Sequence, residues 1–226
     1  MKCITCGSKN IRLFYSQKNV PLYQNFLFSS YKDAINCKTG DINLVYCYKC
    51  SFIYNSTFKA NLIDYSINYE NTQFYSGYFQ KYIEGLINFL VNNFRNITGI
   101  LEIGCGKGDF LKKLSLKYPN LKLYGFDKSL DNSVVIGNLN LYNYYYNKNL
   151  NLNLNFNLLI LRHVLEHIYN PFKFLKNNTD LSKFIFIETP SFEWIIDNNA
   201  YWDIFYEHCN YFTKKSLLYI FKKNWI

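Results

Sequence analysis

The chain has 226 residues, 49% of them apolar and 20% aromatic, and carries a formal charge of +9. That length holds one large domain or a medium one with an appendage, and the lysines are too scattered for a nucleic-acid patch, fitting a solvated surface or a phosphate-bearing small substrate instead. No apolar run reaches the roughly 20 residues of a membrane span, and none follows the first residues as in a secretion signal, so no membrane partner is expected and the chain reads as cytoplasmic.

Four of the seven cysteines form two pairs, Cys3-Ile-Thr-Cys6 and Cys47-Tyr-Lys-Cys50. In a cytoplasmic chain such pairs point to metal rather than disulfides. Each forms a tight knuckle, and two knuckles supply the tetrahedral thiolate set that suits Zn2+. Strand-like runs at 11–15 and 42–46 would bring the knuckles to neighbouring strand ends. A four-sulfur site leaves no open coordination position, so this zinc is expected to be structural, and residues 1–58 are expected to form a small zinc-ribbon-like domain. Cys37 is left as an ordinary thiol.

Residues 59–98 read as a connector followed by an amphipathic helix over 74–94. There Phe79, Tyr82, Ile83, Leu86, Ile87, Leu90 and Phe94 recur at steps of three and four. The polar, aromatic entry at 69–77 is expected to lie over a pocket.

The segment Ile100-Leu-Glu-Ile-Gly-Cys-Gly-Lys-Gly-Asp-Phe110 reads as strand, glycine turn and helix. A helix over 107–118, then a strand over 121–126 closing on Asp127, completes a β-α-β unit, which implies a parallel sheet. Further strands are expected at 141–146, 156–161 and 183–189, a helix starting at Pro171, and a last helix over 213–223.

The dinucleotide-binding fingerprint wants a small residue where Asp109 stands, so a nicotinamide or flavin dinucleotide is disfavoured. The pattern Glu102-x-Gly104-x-Gly106-x-Gly108 instead resembles motif I of class I S-adenosylmethionine-dependent methyltransferases. That donor has an ammonium and a carboxylate at one end. Glu102 supplies negative charge, and turn N–H groups suit the carboxylate. Asp127 is placed to accept both ribose hydroxyls.

The resemblance implies a Rossmann-like α/β core over 99–226, with donor-binding residues Glu102, Gly104, Gly106, Gly108, Asp127 and Lys128. The run Arg162-His163-Val-Leu-Glu-His167 looks like the segment after the fourth strand of this superfamily, which adds Arg162, His163 and His167. A His-x-x-Glu-His order also occurs in inverted zinc proteases, but there the strand-turn context differs.

The cysteine module joined to this core, with Phe205-Tyr-Glu-His-Cys-Asn-Tyr-Phe212, resembles the zinc-containing branch that includes nucleotide-linked sugar C-methyltransferases. The resemblance implies methylation of a nucleotide-linked sugar or related surface-glycan precursor. His208 would be the base, Tyr206 would polarise an acceptor carbonyl, and Glu207 would orient neighbours. A methyltransferase of another small metabolite at oxygen or nitrogen, or a non-catalytic zinc-containing binding module, is the alternative. A sheet of this family carries two more strands than the sequence supplies, so the core is expected to be incomplete at its C-terminal end.

Overall fold

A computed structural model describes residues 1–65, 73–147, 149–150, 152–179 and 182–225. Two compact units are present. The first gathers Met1–Asp64, His163–Lys176 and Thr189–Ile226, and the second Tyr65–Arg162 and Asn177–Glu188. These differ from boundaries at 58 and 98, because a short C-terminal strand completes the first unit's sheet.

In chain order the first unit supplies β1 (Ile11–Pro21), α1 (Tyr31–Ile35), β2 (Thr39–Cys47) and β3 (Ile53–Asn55). The second supplies α2 (Gly77–Asn93), β4 (Gly99–Ile103), α3 (Asp109–Lys117), β5 (Lys122–Phe126), β6 (Val134–Ile136), β7 (Leu139–Tyr142) and β8 (Leu158–Arg162). Then come α4 (Pro171–Asn178), β9 (Phe184–Glu188) in the second unit, and α5 (Phe192–Asp197), β10 (Asn210–Tyr211) and α6 (Lys214–Trp225) in the first. Among the described residues, no helix is long and apolar enough to cross a membrane. The expectation for 69–77 falls partly outside the described residues, at 69–72.

The sheet of the second unit runs β6-β7-β5-β4-β8-β9. All its pairs are parallel except β6 with β7. β4 is buried at all five residues, as a central parallel strand covered on both faces must be. Ser76 caps α2 by accepting from the Phe79 N–H at 3.3 Å, and the helix buries Ile83, Leu86, Ile87 and Leu90. These meet Ile100, Phe110, Leu111, Leu114, Leu123, Leu158 and Ile160 in one core. The chain leaves β4 through α3 to β5 on one side, and β8 lies on the other. In open parallel sheets that reversal puts a crevice at the carboxyl ends of the strands. The strand expected over 141–146 is β7, a few residues earlier. β6 was not foreseen, since its three residues are exposed.

The sheet of the first unit is antiparallel, in the order β1-β2-β3-β10. Asn210 pairs with Tyr54 and Tyr211 with Ile53. Its core joins Leu22, Ile42, Leu44 and Ile53 to Ile195, Tyr206, Cys209 and Tyr211. Tyr206 is buried, with its ring between Gly40 and Phe58. A methyl group on Gly40 would overlap that ring. Gly40→Ala should therefore cost about 1–3 kcal/mol, the usual range for overpacking, read as a lower denaturant midpoint. An unchanged midpoint would show that the ring can move away.

Candidate functional site

The turn after β4 holds three glycines in the left-handed region, with Gly104 at φ 74°, Gly106 at 55° and Gly108 at 77°. Side chains other than glycine rarely adopt this backbone. The Gly104 N–H donates to the Phe126 carbonyl at 2.8 Å, and the Gly106 N–H donates to Asp127 Oδ2 at 2.8 Å. Gly108 is the N-cap of α3, and a Cβ there would press into Leu141. Lys107 reaches from the turn to the Ser129 carbonyl at 2.7 Å and to Asp131 at 3.1 Å. The turn is thus held by the end of β5 and the loop after it.

Asp127 is half-buried and also accepts the Ser129 N–H on Oδ1 at 2.8 Å. Each carboxylate oxygen has taken one donor and keeps acceptor capacity for a second. Lys128 is exposed. Phe126 is covered by Tyr142, Tyr144 and Tyr146, at ring separations of 4.6, 5.6 and 5.1 Å. Those tyrosines lie in a stretch whose biased composition hid them from sequence reading.

Glu102 ends deep in the sheet, with 2% of its side chain exposed. Arg162 Nη1 lies 3.6 Å from its Oε1, and Arg162 Nε donates to Glu188 Oε2 at 2.8 Å. The guanidinium also stacks over Phe110 at 4.7 Å. Tyr82 donates its hydroxyl to the other oxygen of Glu188. Tyr82 appeared in the sequence only as a core position of a helix, and Glu188 only as a strand residue. Nothing in a single chain links residues so distant in sequence.

Burial pushes the Glu102 carboxyl up to about 7; Arg162 opposes this, while Asp127 and Glu188 add to it. Glu102 Oε2 has no hydrogen-bond partner among the described residues. A buried carboxylate oxygen without a donor, beside a glycine turn that lets a ligand approach the backbone closely, fits a ligand carrying an ammonium.

In the first unit, the two cysteine knuckles have the same backbone. Gly7 N–H donates to Cys3 and Ser51 N–H to Cys47, at 2.9 and 2.8 Å, with Gly7 and Ser51 both left-handed at φ 72° and 58°. Sulfur separations are 3.7 Å for Cys3–Cys50 and 3.5 Å for Cys6–Cys47, and all four sulfurs lie within 4.8 Å of one another. A tetrahedron of thiolates around zinc has sulfurs about 3.8 Å apart, so the set fits. The Cys50 hydrogen bond holds the Cys3 thiol down at about 5 and pushes Cys50 up.

The histidines form a second group in the first unit. Residues Leu165–His167 make a single 3-10 turn, and His163 precedes it at φ 52°. His163 and His167 therefore do not share a helix face. Glu166 is buried, with Thr189 donating to Oε2 at 3.0 Å and His163 Nδ1 at 3.4 Å from Oε1. Ligand atoms of Glu166, His167 and His208 lie within 4.8 Å of one another. His208 is buried against the Phe205 ring at 3.8 Å, and its Nδ1 is 3.1 Å from the Asp203 carbonyl. With Nδ1–H donating there, Nε2 is the proton acceptor. Burial, then His167, push His208 down to about 3, while Glu166 favours its charged form.

Tyr206 and Glu207 are both built into the core of the first unit. Tyr206 accepts the Lys59 N–H at 2.9 Å inside the core, and Glu207 is fully buried with Oε2 accepting the Gln24 N–H at 2.8 Å. Both brace the segment that carries His208.

The raised Glu102 gives a test of sign. Between its ordinary value of 4.5 and about 7 the folded chain holds a proton that the unfolded chain has lost, so Glu102 lowers stability as pH rises through that window. Wild type should therefore lose about 2–3 kcal/mol relative to Glu102→Gln between about pH 5 and about pH 8. Denaturant unfolding at both values measures it, and parallel pH profiles would refute the buried, strained carboxylate.

A family model described as "Methyltransferase domain" matches residues 75–224. The tRNA (guanine-N(7)-)-methyltransferase of Mycoplasma capricolum subsp. capricolum is 56% identical over 41 residues, which is 18% of this chain and 17% of that protein. The plantazolicin methyltransferase BpumL in complex with SAH is 16% identical with a TM-score of 0.43, covering 65% of this chain and 57% of its own. The same enzyme with a pentazolic desmethylPZN analog and SAH is 17% identical with a TM-score of 0.43, covering 66% and 59%. The chain thus spans less than two thirds of the length of each of these relatives. With two thirds of its residues matched by one family model, from α2 into α6, the chain belongs to the methyltransferase domain family.

Proposed function

We propose that the chain transfers a methyl group from S-adenosylmethionine to a small acceptor, a nucleotide-linked sugar or related surface-glycan precursor. The observation that carries the donor assignment is the orphaned Glu102 Oε2 beside the glycine turn. Glu102 would hold the ammonium and Asp127 the ribose hydroxyls, with Gly104, Gly106 and Gly108 letting the donor lie close to the backbone. Arg162 would hold Glu102 in place. The donor supplies an activated methyl on a sulfonium, and the protein aligns the acceptor with it, which is worth up to roughly 7–11 kcal/mol. A sulfonium also suits a site where Glu102, Asp127 and Glu188 outnumber Arg162.

His208 would take the acceptor proton at Nε2, with Glu166 stabilising the imidazolium and the Asp203 carbonyl fixing the tautomer. The formal charge of +9 favours a phosphate-bearing acceptor. Cys3, Cys6, Cys47 and Cys50 would hold a structural Zn2+. The donor reading is tested by calorimetry with S-adenosylmethionine and S-adenosylhomocysteine, and absence of binding to both sinks it. Turnover is then screened with nucleotide-linked sugars. With the true acceptor, His208→Ala should lower kcat by about 10²-fold or more while leaving donor affinity unchanged; a loss within a few-fold would remove His208 as the base. The purified chain should carry a single zinc, and Cys50→Ser should lose both the metal and the cooperative melting of the first unit. Melting unaltered by metal removal would show that the sulfurs need no ion.

A further inference from the structure

Glu188 and Tyr82 belong to no motif, yet both are built into the charged end of the second unit's sheet. Glu188 is the last residue of β9 and stands across from Arg162, the last residue of β8. It takes the Arg162 Nε–H at 2.8 Å on one oxygen and the Tyr82 hydroxyl on the other. Arg162 is held in place, 9% exposed and stacked over Phe110. Its Nη1 reaches Glu102 only at 3.6 Å. One guanidinium therefore serves two carboxylates unequally, close to Glu188 and loose to Glu102.

The groups that act on Glu102 come from each neighbouring strand. They are Arg162 of β8, Asp127 at the end of β5 and Glu188 of β9, and the buried Cys105 thiol of the turn feels Glu102 in return. Three carboxylates face one guanidinium, so this end of the sheet is short of positive charge. Glu102 Oε2 is the oxygen that the arrangement leaves without a donor.

We propose that Tyr82 and Glu188 are positioning residues that divide Arg162 between Glu188 and Glu102, and so keep Glu102 Oε2 open for the ammonium of the methyl donor. This rests on the donor assignment above. If Glu188 loses its charge, Arg162 is free to close on both oxygens of Glu102 as a two-pronged pair. Oε2 is then filled, and the carboxylate is held ionised to lower pH. If Tyr82 loses its hydroxyl, Glu188 loses a donor and draws harder on Arg162. Glu102 is then less compensated and takes up a proton at higher pH. The two changes push Glu102 in opposite directions, which a residue that merely braces the sheet would not do.

The test is calorimetry of the full chain with S-adenosylhomocysteine across a pH series, for wild type, Glu188→Gln and Tyr82→Phe. Wild type should lose affinity below about pH 7, by about tenfold per pH unit, as Glu102 takes up its proton. Glu188→Gln should weaken binding about three- to tenfold at alkaline pH and move the midpoint down by about one pH unit. Tyr82→Phe should move the midpoint up. 5′-Methylthioadenosine, which lacks the amino-acid end, should show no such step in any of the three. Equal midpoints, or midpoints displaced in the same direction by both variants, overturn the proposal while wild-type binding leaves the donor assignment standing. Failure of wild type to bind at any pH removes the donor assignment and this proposal with it. Tyr82 is 43% exposed and accepts phenylalanine without a packing change, so its arm decides the matter even if Glu188→Gln does not fold.

Discussion

The Gly106 N–H donating to Asp127 is the bond on which the second unit's site depends. It joins the loop after β4 to the residue that follows β5, so the ends of two neighbouring parallel strands are tied in one register. The turn reaches that bond only because its glycines tolerate a left-handed backbone. Asp127 in turn accepts one backbone N–H on each oxygen to hold the loop and keeps acceptor capacity on both.

The electrostatics follow from depth. Glu102 lies in a strand buried on both faces, where water cannot screen it, and its partner Arg162 is shared with Glu188. A carboxylate in that position is costly while nothing cationic is bound. The proposed donor carries an ammonium that would offset that cost.

Much of this was legible in the amino-acid order. β8 and β9 open on apolar runs and β4 is apolar on either side of Glu102, α2 shows its 3.6-residue period, and Asp109 stands where a dinucleotide fingerprint wants a small residue. The four cysteines declared themselves by spacing alone. What was not legible depends on contacts between distant segments. Two residues, Asn210 and Tyr211, carry too short a pattern to be read as a strand, so the partner of β3 was hidden. The pairing of Tyr82 with Glu188 needs a helix and a strand on opposite sides of the motif region. The burial of Tyr206 against Gly40 and Phe58 was likewise not legible in the sequence.

The sheet of the first unit closes by pairing β3 with β10, strands separated by more than half the chain. During synthesis, β1, β2 and β3 are complete long before their fourth strand exists. Until then β3 offers an unpaired edge, the kind of edge on which chains associate. The two knuckles lie at the ends of strands already made, so ligation of their sulfurs would not have to wait for the C-terminal half of the chain. A metal held by these cysteines would therefore govern order in time as well as place, holding a three-stranded precursor in register while the chain that completes it is still being made.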